Sequence, residues 1–162
     1  MLFKIFLFFI ISFNTLAKVS NVPNGIVKVF VQKVSYDYFR PWASPVQSEA
    51  SGSGFIVEDK KIVTNAHVVA DSTFIQVRKA GDFRKYAAKI SKVAHDVDLA
   101  ILEVEDGDFF KGTSALEIGD TPRVGDEVKA YGFPIGGDEM SLTKGVVSRV
   151  EMTRSIHSRS QL

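Results

Sequence analysis

No long stretch of this 162-residue sequence keeps a helical period, and that single property narrows the folds open to it. Short β-branched runs recur at regular spacing instead, each bounded by turn residues. Ile26–Val34 follows the turn signal Asn24-Gly25 and partly alternates. Thr73–Arg78 alternates, Lys85–Ala94 sets Tyr86, Ala88, Ile90 and Val93 among polar neighbours, and Leu99–Val104 is an apolar run. Ala80-Gly81-Asp82 punctuates between them, and Glu105–Glu117, polar and holding Gly107 and Gly112, reads as a surface connection. The pattern predicts an all-β sandwich or barrel.

The first 17 residues are read apart from the fold. Lys4 gives a small positive start, Ile5–Phe13 is unbroken and apolar, and Thr15-Leu16-Ala17 ends on a small residue. This is the layout of a secretory signal peptide, so the expectation is an exported protein, periplasmic or secreted. The apolar run falls short of the roughly 20 residues of a membrane span, and no stable span is expected once it is cleaved. Without it the basic count falls from 20 to 19, against 19 acidic residues, so the mature chain is formally neutral. Nothing in that balance argues for nucleic acid. With 45% apolar residues the chain has enough to build a core. It has no cysteine, so neither a disulfide framework nor a thiolate zinc site is available.

The chemistry gathers around Ser51–Val69. Phe55–Val57 and Ile62–Val63 read as two strands joined through Glu58-Asp59-Lys60, with His67 just past the second. A rigid sheet would fix such a ring while leaving an edge free, which is how a general base is held. A lone histidine near a strand end is more often a packed or solvated side chain than a catalyst. Val68-Val69-Ala70 fits one helical turn. Asp98 begins the apolar strand Leu99–Val104, and a carboxylate entering a buried strand needs a partner. An imidazole would serve. His95 and Asp96 read as a solvated corner, and the spacing of His67, His95, Asp96 and Asp98 gives a metal site no support. No cofactor or metal is expected. Ser35–Ala50, broken by Pro41 and Pro45, reads as a loop carrying Tyr36, Tyr38, Phe39 and Trp42, either packed over the barrel or meeting a partner.

Gly52-Ser53-Gly54-Phe55-Ile56-Val57, followed by Ile62-Val63-Thr64-Asn65-Ala66-His67-Val68-Val69, resembles the catalytic-histidine segment of trypsin-like serine proteases of the Deg/HtrA family. Asp98-Leu99-Ala100-Ile101-Leu102 resembles the segment bearing the triad aspartate, in the histidine–aspartate–serine order of chymotrypsin-type enzymes. The resemblance implies a chymotrypsin-like double β-barrel, with residues 18–118 as the first barrel and 119–162 as the start of an incomplete second. It implies serine endopeptidase chemistry on protein or peptide substrates, His67 as general base and Asp98 as the group that orients it. By the same resemblance, oligomers are the expectation for full-length relatives. The family's nucleophile lies in a Gly-Asn/Asp-Ser-Gly-Gly segment, and no serine here has that setting: Ser51 and Ser53 precede the histidine, and Ser141 and Ser148 fall in expected strands. The expectation is therefore a chain truncated before its nucleophile and inactive alone. The alternative is a non-catalytic module that binds peptides or a partner through an exposed sheet edge.

Overall fold

The computed structural model describes residues 23–134 and 137–151. The leader at 1–17, Gly136 and the last eleven positions lie outside the described residues. Six strands close into an antiparallel barrel: β1 (Ile26–Ser35), β2 (Val46–Val57), β3 (Lys61–Thr64), β4 (Ser72–Lys79), β5 (Tyr86–Ala94) and β6 (Leu99–Glu103). Round the barrel the order is β1-β2-β3-β6-β5-β4, with β4 returning to pair with β1. A separate two-stranded sheet follows, β7 (Glu127–Gly132) on β8 (Ser141–Val146). This is an all-β, chymotrypsin-like fold, partially formed: one closed barrel and a second sheet of two strands. Among the described residues no helix is long and apolar enough to cross a membrane.

Closure follows from period-2 patterning. Val27, Val29 and Val31 of β1 point inward, and β4 answers with Ile75 and Val77, β3 with Ile62 and β6 with Ala100 and Leu102. Gly54 lies against Val63 O, Ile62 and Val27, where a β-carbon would approach within 3.0–3.3 Å, so the small residue lets neighbouring strands pack closely. In β5 only Tyr86 and Ala88 reach the core. The register with β6 slips between Ile90 and Lys92, and Ile90 and Val93 are turned outward.

Three expectations change. β2 begins at Val46, so the loop expected over Ser35–Ala50 shrinks to 36–45, because a strand paired with β1 along its whole length overrides local turn propensity. The loop aromatics do not pack over the barrel: Tyr38, Phe39 and Trp42 are 89%, 95% and 82% exposed. The connection after β6 is not purely superficial either. Gly107–Phe110 forms a 3₁₀ turn, with the Asp106 carboxylate accepting from the Asp108 amide at 2.9 Å. That turn drives Phe109 into the core, edge-on to Tyr86 with centroids 5.1 Å apart.

One cross-strand row on the outer face of the barrel carries the second sheet. Ser53, Lys28 and Arg78 sit side by side on β2, β1 and β4. Ser53 Oγ accepts the Phe133 amide at 2.8 Å, the Lys28 ammonium donates to Gly137 O and Asp138 Oδ1, and Arg78 donates to Asp138 O at 2.7 Å. The chain leaving β7 is thereby held against the barrel.

Candidate active site

The register of β3 on β6 determines where the chemistry sits. Thr64 pairs with Ala100, so the residues just past the end of β3 face those just before the start of β6. Asn65–His67 and Asp98 meet there although the histidine and aspartate are 31 residues apart. His67 rides on a single turn, α1 (Ala66–Val69), whose Val68 and Val69 are buried in the barrel core. Gly52 permits that seat: a β-carbon on it would lie 2.8 and 2.9 Å from the two Val68 methyls. Lys33, near the end of β1, donates to His67 O at 3.1 Å.

Asp98 has a left-handed backbone, φ 55° and ψ 41°, at the end of the 3₁₀ turn His95–Val97. Aspartate tolerates that conformation better than most residues. Its carboxylate accepts the His67 ring Nδ1 on Oδ2 at 2.6 Å and the His67 backbone amide on Oδ1 at 2.8 Å. The Asn65 carboxamide donates to the same Oδ2 at 3.1 Å. Desolvation pushes the Asp98 carboxyl upward, yet hydrogen bonds from the His67 amide and ring, the ring's charge and the Asn65 amide outweigh it and hold it below the usual aspartate value. The pair is open on one side, with the His67 side chain 65% exposed and that of Asp98 32%. Because Oδ2 is an acceptor, Nδ1 carries the proton, and in the neutral ring Nε2 presents a lone pair; among the described residues Nε2 has no hydrogen-bond partner.

The other candidates lie elsewhere. His95 and Asp96 are exposed on their turn and take no part in the contact. Ser51 and Ser53 are on β2, with the Ser53 hydroxyl engaged by Phe133; Ser141 opens β8 and Ser148 follows it, both at the surface. Sequence reasoning missed Asn65, Lys33 and the close approach of Gly52 to Val68. Asn65 carried a signal, since asparagine before a helical turn reads as an N-cap. Its contact with a carboxylate 33 residues away carried none.

Comparison with known proteins agrees with this architecture. Residues 52–161 match the family model described as the trypsin-like peptidase domain. Protease Do-like 4, mitochondrial, from Arabidopsis thaliana is 46% identical over 86% of this chain and 27% of its own length. Protease Do-like 2, chloroplastic, from the same plant is 45% identical over 86% of this chain and 23% of its own. A serine protease DegP homolog of Plasmodium falciparum is 43% identical over 83% and 15%. Among solved structures, the active form of the Rv3671c protease from M. tuberculosis superposes with a TM-score of 0.66 at 23% identity, covering 86% of this chain and 56% of that one. The chain spans about a quarter of the length of these two Arabidopsis proteins.

These relatives overturn the expected periplasmic or secreted location, because they are named as mitochondrial and chloroplastic proteins. With its match to the trypsin-like peptidase domain over most of its length and its likeness to Do-like and DegP proteases, the chain belongs to the Deg/HtrA family of trypsin-like serine proteases.

Proposed function

We propose that His67 and Asp98 are the general base and the orienting carboxylate of a serine endopeptidase acting on protein or peptide substrates. The observation that carries this reading is the 2.6 Å contact between His67 Nδ1 and Asp98 Oδ2, made with Nε2 left open. Nε2 takes the proton from a serine hydroxyl as its oxygen attacks the scissile carbonyl, and the imidazolium then protonates the leaving amine. Asp98 stabilises that imidazolium and keeps the ring in the tautomer able to accept. Water activated by the same nitrogen then releases the acyl group.

None of the serines in these 162 residues has the Gly-Asn/Asp-Ser-Gly-Gly setting of the family's nucleophile. The chain supplies base and orienting acid, and by itself is inactive. Residues 18–118 are assigned to the first barrel and 119–162 to the start of the second. The relatives' names favour work inside an organelle.

The test is labelling of the native gene product, isolated from its source, by a fluorophosphonate. Labelling that disappears in a His67→Ala variant supports the reading, and Asp98→Asn is expected to lower kcat by about 10⁴. A native product that is never labelled, yet retains peptides on an affinity column, would establish the non-catalytic binding module instead.

A further inference from the structure

Asn65 occupies the N-cap position of α1 and does not cap it. An asparagine there ordinarily accepts a backbone amide from the first turn with its side-chain oxygen. Here Asp98 supplies that acceptor from a different strand: its Oδ1 takes the His67 amide, two residues into the turn, at 2.8 Å. Its backbone oxygen takes the Ala66 amide at 3.2 Å. The Asn65 side chain is thereby released, and it turns its amide to Asp98 Oδ2 at 3.1 Å and Asp98 O at 3.3 Å. The orientation of the carboxamide follows from chemistry, since both partners are acceptors and only Nδ2–H can face them.

We propose that Asn65 is a positioning residue for the His67–Asp98 pair, setting the rotation of the carboxylate that holds the ring. The proposal rests on the catalytic reading given above. With Oδ1 tied to the His67 amide, the carboxylate retains freedom about its Cβ–Cγ bond unless Oδ2 is held as well. The ring alone is a poor anchor for Oδ2, because it is the group the carboxylate has to orient and must itself be held. A neutral donor that never titrates anchors Oδ2 whichever state the imidazole is in. Aspartate at position 65 would set a second negative charge about 3 Å from Oδ2, where like charges repel. Serine would fall about one bond short of the carboxylate.

The test uses the chain itself, labelled with ¹⁵N, and reads the imidazole at about pH 8, where free imidazole is neutral. Wild type is expected to show one ring tautomer, with the proton on Nδ1 protected from water. In Asn65→Ala the Nδ1 proton exchanges about threefold to tenfold faster, the equivalent of one partly exposed charge-assisted hydrogen bond, and the ring shifts toward mixed tautomers. Asn65→Asp shows the larger effect of the two. A dispersed backbone spectrum and an unchanged melt certify that the barrel persists; should Asn65→Ala lose them, Asn65→Ser, which keeps capping competence, is read in its place. If the position 65 variants leave the ring signals of wild type intact while Asp98→Asn abolishes them, Asn65 has no positioning role and the catalytic reading survives. If Asp98→Asn is also silent, the histidine–aspartate pairing falls with it.

Discussion

Gly52→Ala tests the link between barrel packing and the position of the histidine. The glycine is not in the left-handed region, so alanine meets no backbone strain and gains about 0.4–1 kcal/mol from a stiffer unfolded chain. Against that, its methyl would sit 2.8 and 2.9 Å from Val68 Cγ2 and Cγ1, closer than packed carbons come. Val68 is buried and joined to the core, so relief requires moving α1, and overpacking of this kind costs about 1–3 kcal/mol. The net expectation is a loss of about 0.5–2 kcal/mol. Val68→Ala alone removes two buried methyls and should lose about 2 kcal/mol. In the double variant the clashing atoms are gone, the nearest remaining contact is Val68 Cβ at 3.4 Å, and the new methyl fills part of the cavity. Urea unfolding of the four proteins should give a double variant about 1–2 kcal/mol more stable than the sum of the single losses. Because His67 precedes Val68, Gly52→Ala should also disturb the His67–Asp98 ring signals, and Val68→Ala should restore them. Additivity within about 0.5 kcal/mol would refute the claim that Gly52 exists to seat α1.

Phe109→Ala should cost about 3–5 kcal/mol in chemical denaturation, because the ring is fully buried and stacks edge-on with Tyr86 and Phe110; a loss below about 1 kcal/mol would show that the 3₁₀ turn is only a surface connection. The Lys28–Asp138 pair should respond unequally. Lys28 is nearly buried while the Asp138 side chain is 76% exposed, so Asp138→Ala leaves a covered ammonium with no counter-charge from that carboxylate and only Gly137 O to accept from it, whereas Lys28→Met leaves a carboxylate that water can solvate. The melting temperature should fall further for Asp138→Ala, and the reverse order would contradict the burial argument. The folded Asp98 carboxyl lies below its ordinary value, so the unfolded chain binds more protons than the native one as pH falls through about 4. Its contribution is present above that range and lost below it. The stability gap between wild type and Asp98→Asn should therefore shrink on acidification, and a gap that widens would reverse the sign of the linkage.

The sequence made the barrel legible wherever a strand has one wet face. Val27, Val29 and Val31 alternate with Lys28, Phe30 and Gln32, and that alternation is the barrel wall. It was least legible where pairing partners decide. Val46–Ser51 contains nothing that looks like a strand alone, and it becomes one because β1 lies alongside with a full row of backbone groups to satisfy. Phe109 was hidden in the polar, glycine-bearing connection Glu105–Glu117. Lys28 shows the opposite failure: as an outward residue on an alternating strand it should meet water, but the chain after β7 crosses over it. At the site, His67 and Asp98 could be singled out because a motif carried them. Asn65 could not, since its partner is settled by the register of β3 on β6 and not by its neighbours in sequence.

That register also explains why the pair forms without relying on the strength of its own attraction. Two charges as exposed as these contribute little net stability by meeting. The meeting is arranged by the alternating hydrogen bonds that fix Thr64 against Ala100 and by the burial of Val68 and Val69, terms far larger than one surface ion pair. The carboxylate then finds donors already aligned, two of them from groups that do not titrate: the His67 amide and the Asn65 carboxamide. Under the proposed function, a base held in this way would keep its tautomer while its own charge changes, because the barrel and not the ion pair does the holding. Among the described residues the ring nitrogen Nε2 has no hydrogen-bond partner, which leaves it open to a reacting group.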